Sequence, residues 1–216
     1  MNSPQTLILL DIDHTLFDAT EYRKRVFSEL IEYLLPHQSE NGIEIAENIY
    51  KNLREKGYFK ISLFLSELSE SLGIKTDEDL SYFFFSKESI KKALFIDVLP
   101  TLTTLSSNKD ITLGIFSGGQ EDMQRKKIEA IKHLLEDKHI HINEVNKFDD
   151  IPELAQKYKD KRLIVVDDIP EILDIFKKNN ENVITVYIDR HQRNEKSALK
   201  PDYHIDNLEN LITISE

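Results

Sequence analysis

Two carboxylates close an apolar run in the segment Leu7-Ile8-Leu9-Leu10-Asp11-Ile12-Asp13-His14-Thr15-Leu16. Side chains two residues apart in an extended or tightly turning segment can both reach one cation or one substrate, whereas immediate neighbours diverge. Four apolar residues in a row read as a buried strand of a parallel sheet, and the carboxyl end of such a strand is where open α/β sheets bind ligands. The same Asp-x-Asp also suits a solvated turn capping the next helix, so the pair alone leaves two readings.

Three further stretches end apolar runs in the same way. Val165-Val166-Asp167-Asp168-Ile169-Pro170-Glu171 is a second acidic pair, in which Asp168 also suits a helix cap ahead of Pro170. Phe116-Ser117-Gly118-Gly119 offers a hydroxyl followed by glycines, which let backbone N–H groups come close to an anion, as an ordinary glycine turn also would. Lys147 stands in the loop ahead of the second acidic pair, with Lys157 and Lys161 as competitors for any role a lysine has there.

The elements that must position these groups follow from the hydrophobic pattern. Strands are read at Leu7 to Leu10, Ile111 to Phe116, Ile140 to Ile142, Leu163 to Val166 and Val183 to Ile188, with a last short apolar stretch at Tyr203 to Ile205. Helical spacing covers Gln120 to Asp137 and Glu171 to Lys178, so the fold class is α/β with a parallel sheet. Between the first two strands, Glu21 to Leu35, Ile43 to Lys56, Phe59 to Leu72 and a segment capped by Thr76 and running through Phe85 are helical, the second stopping at Gly57 and the third at Gly73. The domains are therefore read as an α/β core, 1–16 and 97–216, and a helical insertion, 17–96. Arg190 to Lys200 is the most linker-like stretch.

Composition narrows the partners. The 216 residues, 40% hydrophobic and 31% charged, suit an ordinary soluble protein without a membrane span. The amino-terminal region lacks the basic and apolar blocks of a leader, and the expected location is cytoplasmic. No cysteine is present, so any metal must be held by oxygen or imidazole. A net charge of −11 argues against binding nucleic acid, and the positive potential for an anionic substrate must be local.

Taken in order, these groups resemble the four motifs of the haloacid dehalogenase superfamily of phosphohydrolases: Asp11, Asp13 and Thr15 the first, Ser117 the second, Lys147 the third, Asp167 and Asp168 the fourth. The resemblance implies a doubly wound, Rossmann-like sheet of order 5-4-1-2-3 that brings both acidic pairs into one crevice, with the insertion acting as a helical cap. Carboxylates packed together repel, which implies a hard divalent cation, Mg²⁺, held by the Asp11 carboxylate, the Asp13 carbonyl, Asp167 and Asp168. It further implies that Asp11 is the nucleophile, forming an aspartyl-phosphate, that Asp13 moves the protons, and that Ser117, Gly118 and Lys147 hold the phosphate. Dehalogenase members lack the second Asp, so Asp13 favours phosphoryl chemistry.

The expected activity is hydrolysis of a phosphomonoester on a small phosphorylated metabolite. The alternatives are a phosphosugar mutase of the same superfamily and a non-catalytic binding or regulatory protein of this fold. His14 replaces a frequent Gly, and the distal acid Glu171 competes with Asp168. In the insertion, Tyr82-Phe83-Phe84-Phe85 reads as a small core of its own rather than a substrate-facing aromatic wall, and Tyr22, Arg23 and Arg25, after the first motif, are placed to face the active site, with solvated helix charge the favoured reading for the two arginines.

Overall fold

Every residue of the first strand, β1 (Thr6–Leu10), is buried, which a strand achieves only with neighbours on both edges and layers on both faces. In the computed structural model, which describes residues 5–36, 39–56, 59–75, 79–192, 198 and 200–216, β1 pairs in parallel with β2 (Ile111–Gly118) on one side. On the other it pairs in parallel with β4 (Arg162–Asp167). With β3 (Ile140–Asn143), β5 (Ile184–Ile188) and β6 (Tyr203–Ile205), the sheet order is β3-β2-β1-β4-β5-β6. This is 5-4-1-2-3 read from the opposite edge, extended by one strand. The addition arises because Tyr203–Ile205 pairs in register with Val186, Tyr187 and Ile188.

Leu10↔Ile115 and Leu10↔Val166 stand level, so β1, β2 and β4 end close together at one edge of the sheet. Gly114 permits the pairing beside them. A Cβ there would lie 2.6 Å from the His139 carbonyl oxygen and 2.9 Å from Leu9 Cδ2.

The chain divides into two compact units, Met1–Asp18 with Leu94–Glu216, and Ala19–Ala93. The second is helical: α1 (Ala19–Leu34), α2 (Ser39–Glu55), α3 (Ile61–Leu72) and α4 (Lys87–Ala93). Phe27, Phe64 and Phe84 form its centre, with Phe27 stacked on Phe64 at 4.8 Å, so of the aromatic run only Phe84 is fully buried while Tyr82 is half exposed. Tyr22 donates to the Phe84 carbonyl, Arg23 pairs with Glu47 at 3.2 Å and Arg25 donates to the Ser89 carbonyl at 3.2 Å. Gly73 closes α3 in the left-handed region, φ 65°. The expected stop at Gly57, the cap at Thr76 and much of the linker-like stretch lie outside the described residues.

In the first unit, α5 (Val98–Ser106), α6 (Glu121–Lys127), α7 (Ile151–Lys157), α8 (Pro170–Asn179) and α9 (Asn210–Ser215) flank the sheet. Leu7, Leu9, Phe116, Leu163 and Val165 pack with Ile151, Leu154, Ile172 and Phe176 in one apolar cluster. The helix expected over Gln120 to Asp137 stops at Lys127 instead. Ile128 and Ile131 are drawn into the core and the Glu136 N–H bonds the Leu113 carbonyl at 3.1 Å, so sheet contact overrides helical spacing. Among the described residues no helix is long and apolar enough to cross a membrane.

Candidate active site

Beyond β1 the chain turns at once. The N–H groups of Leu16 and Phe17 both bond the Ile12 carbonyl at 2.9 Å, and His14 N–H bonds the Phe17 carbonyl at 2.7 Å. Asp11, held by its own N–H to the Val166 carbonyl at 3.0 Å, is left buried at the strand ends. Its Oδ1 accepts from Ser117 Oγ at 3.0 Å and from Lys147 Nζ at 2.8 Å.

Lys147 is delivered by a loop stapled with asparagines. Asn143 Oδ1 accepts from the Val145 and Asn146 N–H groups, its Nδ2 donates to Asp150 at 2.9 Å, and Asn146 caps the short turn Lys147–Asp150. The ammonium donates to Asp167 Oδ2 at 2.7 Å as well as to Asp11. Burial alone would lower the Lys147 pKa, but the two carboxylates outweigh it and hold it above the ordinary lysine value. Lys157 instead lies over the Tyr158 ring and Lys161 donates to Gln5, so neither enters this cluster.

Asp167 ends β4 with no exposure, and its Oδ1 accepts from Ile169 N–H at 2.9 Å. Burial first, then the Asp11 and Asp168 charges, push its pKa up against the pull of Lys147. Carboxylate oxygens of Asp11, Asp167 and Asp168 lie within 4.8 Å of one another. Glu171 sits exposed in the first turn of α8 and has no part in this group. Three buried carboxylates against one ammonium, all oxygen donors, fit a divalent cation that would balance their charge.

Asp13 faces other partners. Lys127 Nζ grips its two oxygens at 2.6 and 2.9 Å, and Gln124 Nε2 donates to Oδ2 at 3.1 Å. Burial would raise the Asp13 pKa, yet Lys127, Gln124 and His14 together hold it below the ordinary carboxylate range. Gln124 also donates to the Gly118 carbonyl at 2.6 Å and contacts Ser117 Oγ at 3.3 Å, tying Asp13 to the end of β2. Gly119 makes room for it, with φ 129° and only 3.0 Å between a notional Cβ and Gln124 Nε2. Neither Gln124 nor Lys127 belongs to a motif visible in the sequence. Their signal is a three-residue spacing on the helix that follows Ser117-Gly118-Gly119.

No protein-family sequence profile matches the chain, and no curated protein matches it in sequence. Solved structures do match. A haloacid dehalogenase-like hydrolase of Burkholderia xenovorans superposes with a TM-score of 0.73 at 19% identity, covering 98% of this chain and 96% of that one. The HAD-hydrolase YfnB of Bacillus subtilis, bound to magnesium, gives 0.64 at 15% identity, covering 99% of both. L-2-haloacid dehalogenase of Xanthobacter autotrophicus gives 0.62 at 14%, covering 98% of both. The chain has the haloacid dehalogenase fold.

Matching structures include chains described as phosphatases as well as dehalogenases, so the fold leaves the reaction open. In this haloacid dehalogenase fold, Asp11, Ser117, Lys147, Asp167 and Asp168 converge at the ends of β1, β2 and β4. Gly118 adjoins them at the end of β2, and Asp13 stands two residues beyond Asp11, on the Lys127 side.

Proposed function

We propose that this chain is a Mg²⁺-dependent phosphomonoester hydrolase that acts on a small phosphorylated metabolite through an aspartyl-phosphate on Asp11. The observation that carries the reading is the placement of Asp11. It lies at the strand ends between a hydroxyl and an ammonium, with Asp167 and Asp168 beside it and a second aspartate two residues on.

An Asp11 oxygen attacks phosphorus in line as the bond to the leaving oxygen breaks. Ser117 Oγ, Gly118 N–H and Lys147 Nζ hold the non-bridging oxygens, supplying the local positive potential that a chain of −11 otherwise lacks. Mg²⁺ on Asp11, Asp167, Asp168 and the Asp13 carbonyl would add Lewis-acid stabilisation of the phosphoryl charge. Asp13, once it has taken up a proton against the pull of Lys127, hands it to the departing alkoxide and then takes one from the water that cleaves the acyl phosphate, releasing inorganic phosphate and restoring Asp11. Lys127 and Gln124 keep the Asp13 carboxylate oriented for both transfers.

Asp13 also favours phosphoryl chemistry over carbon–halogen cleavage, since hydrolysis of a haloacid requires no proton donor to an alkoxide.

The test is release of inorganic phosphate from an aryl phosphate and a panel of metabolite phosphates in Mg²⁺, with Asp11→Asn as the control. Turnover by the native chain and none by the variant is expected. No phosphate from any ester sinks the proposal, chloride release from 2-chloropropionate moves the chain to the dehalogenases, and phosphate shifted between sugar positions without release makes it a mutase.

A further inference from the structure

Away from the three buried aspartates, the described residues contain one other group of ligand-type side chains: His14, Asp18 and His191, whose ligand atoms lie within 4.8 Å of one another. We infer that these three form a second metal site, for a borderline divalent cation of the Zn²⁺ class. The inference does not rest on the hydrolase reading, and its readout is separate from turnover.

The donor set comes first. Two imidazoles and a carboxylate are the ligands that zinc-class ions take, and with three protein ligands a fourth position stays open for water or a substrate oxygen. A hard cation such as Mg²⁺ prefers the oxygen cluster around Asp11 instead. The spacing agrees. Zn–N bonds of about 2.05 Å at a tetrahedral angle put the centroids of two bound imidazoles about 5.2 Å apart, since each lone pair points outward along its ring. The His14 and His191 centroids are 5.3 Å apart.

The backbone arrangement is independent of the rings. His14 is held at φ 62°, a left-handed conformation that glycine adopts freely and that costs a residue with a Cβ about 1 kcal/mol. An imidazole is thus kept where a smaller residue would sit more easily. The chain beside each histidine is also locked to the other. Arg190 donates to the Thr15 carbonyl from Nε at 3.1 Å and from Nη2 at 2.8 Å, while its Nη1 pairs with buried Asp97 at 2.7 Å. The residue before His191 and the residue after His14 are therefore joined before any ion arrives, so little ordering is left for binding to do. His14 and His191 are half-buried and exposed respectively, and Asp18 half-buried, which leaves a path for the ion.

The experiment is a titration of the untagged, chelator-stripped full chain with Co²⁺ alone, in excess Mg²⁺ to fill the oxygen cluster. It is followed by visible d–d absorption and by calorimetry. One tight equivalent of Co²⁺ with a four-coordinate spectrum is expected, displaced by Zn²⁺. His191→Ala and His14→Gly should each weaken it by at least roughly 100-fold, exceeding the typical effect of losing an outer partner of a ligand, whereas Asp167→Asn should leave it unchanged. His14→Gly relieves the left-handed strain, so its loss of Co²⁺ cannot be put down to unfolding. Failure of the native chain to bind Co²⁺ in Mg²⁺, or equal binding by native and both histidine variants, overturns the site.

Discussion

Asp11 and Asp13 are two residues apart, yet their surroundings differ in ways that separate their work. Asp11 is fully enclosed by Ser117, Lys147 and the Asp167 side of the sheet, while Asp13 keeps a third of its side chain exposed and answers to Lys127 and Gln124. As the proposed nucleophile Asp11 has no substitute, so Asp11→Asn should drop the single-turnover rate of phosphate release by at least about 1,000-fold. The proton role is read by varying the leaving group. Asp13→Asn should cost alkyl phosphates roughly 100-fold or more in kcat/KM and a p-nitrophenyl ester far less, because a good leaving group departs without a proton. Lys127→Met should show the same pattern at roughly 10-fold, and an equal loss on both esters would mean that Lys127 serves only packing.

At the scale of elements, the parallel strands deliver the site and the close approach of β2 to its neighbours has no slack. Gly114→Ala would set a methyl 2.6 Å from a backbone oxygen, a clash that no side-chain rotation relieves. About 2–3 kcal/mol of destabilisation by urea unfolding is expected. The β3 end carries a pH dependence of its own. His139, bonded through Nδ1 to Tyr158 Oη at 2.8 Å, has its pKa lowered to about 4 by burial first and Lys138 second. His141, on the same hydroxyl, is lowered too, by burial and then Lys157. The unfolded chain binds these protons near pH 6.5 and the folded chain does not, so stability is whole above that pH and falls as pH drops toward 4. For His139 the loss between pH 7 and pH 5 should be about 1–2 kcal/mol, and His139→Gln should flatten that part of the curve.

For the whole molecule, a net charge of −11 and a buried carboxylate cluster make cation binding a stability question as well as a catalytic one. Ions that bind only the folded chain stabilise it by mass action, so Mg²⁺ at ten times its Kd should contribute about 1.4 kcal/mol. In a chain of this size that raises Tm by about 3–5 °C in a thermal melt. Asp167→Asn should abolish the shift, and Ca²⁺ or EDTA arms separate the specific effect from screening. A melt indifferent to Mg²⁺ would remove the cation from the Asp11 cluster.

The sequence by itself determined the α/β class, the main strands to within a residue or two of their ends, and the candidate residues that stand there. Apolar runs and their terminal Asp, Ser and Gly are local signals, and parallel pairing then aligns the strand ends at one edge. Tertiary structure decided what depends on distance in space. It chose Lys147 over Lys157 and Lys161, because the asparagine-stapled turn Asn143–Asp150 aims one lysine and loop length does not. It brought Gln124 and Lys127 onto Asp13 from more than a hundred residues away, and it ended α6 early where Glu136 rejoins the sheet. It also set His191 beside His14, a meeting made by Arg190 on the Thr15 carbonyl that no spacing along the chain encodes. Local pattern governs what a segment can form, and only the folded packing governs which distant groups share one charge.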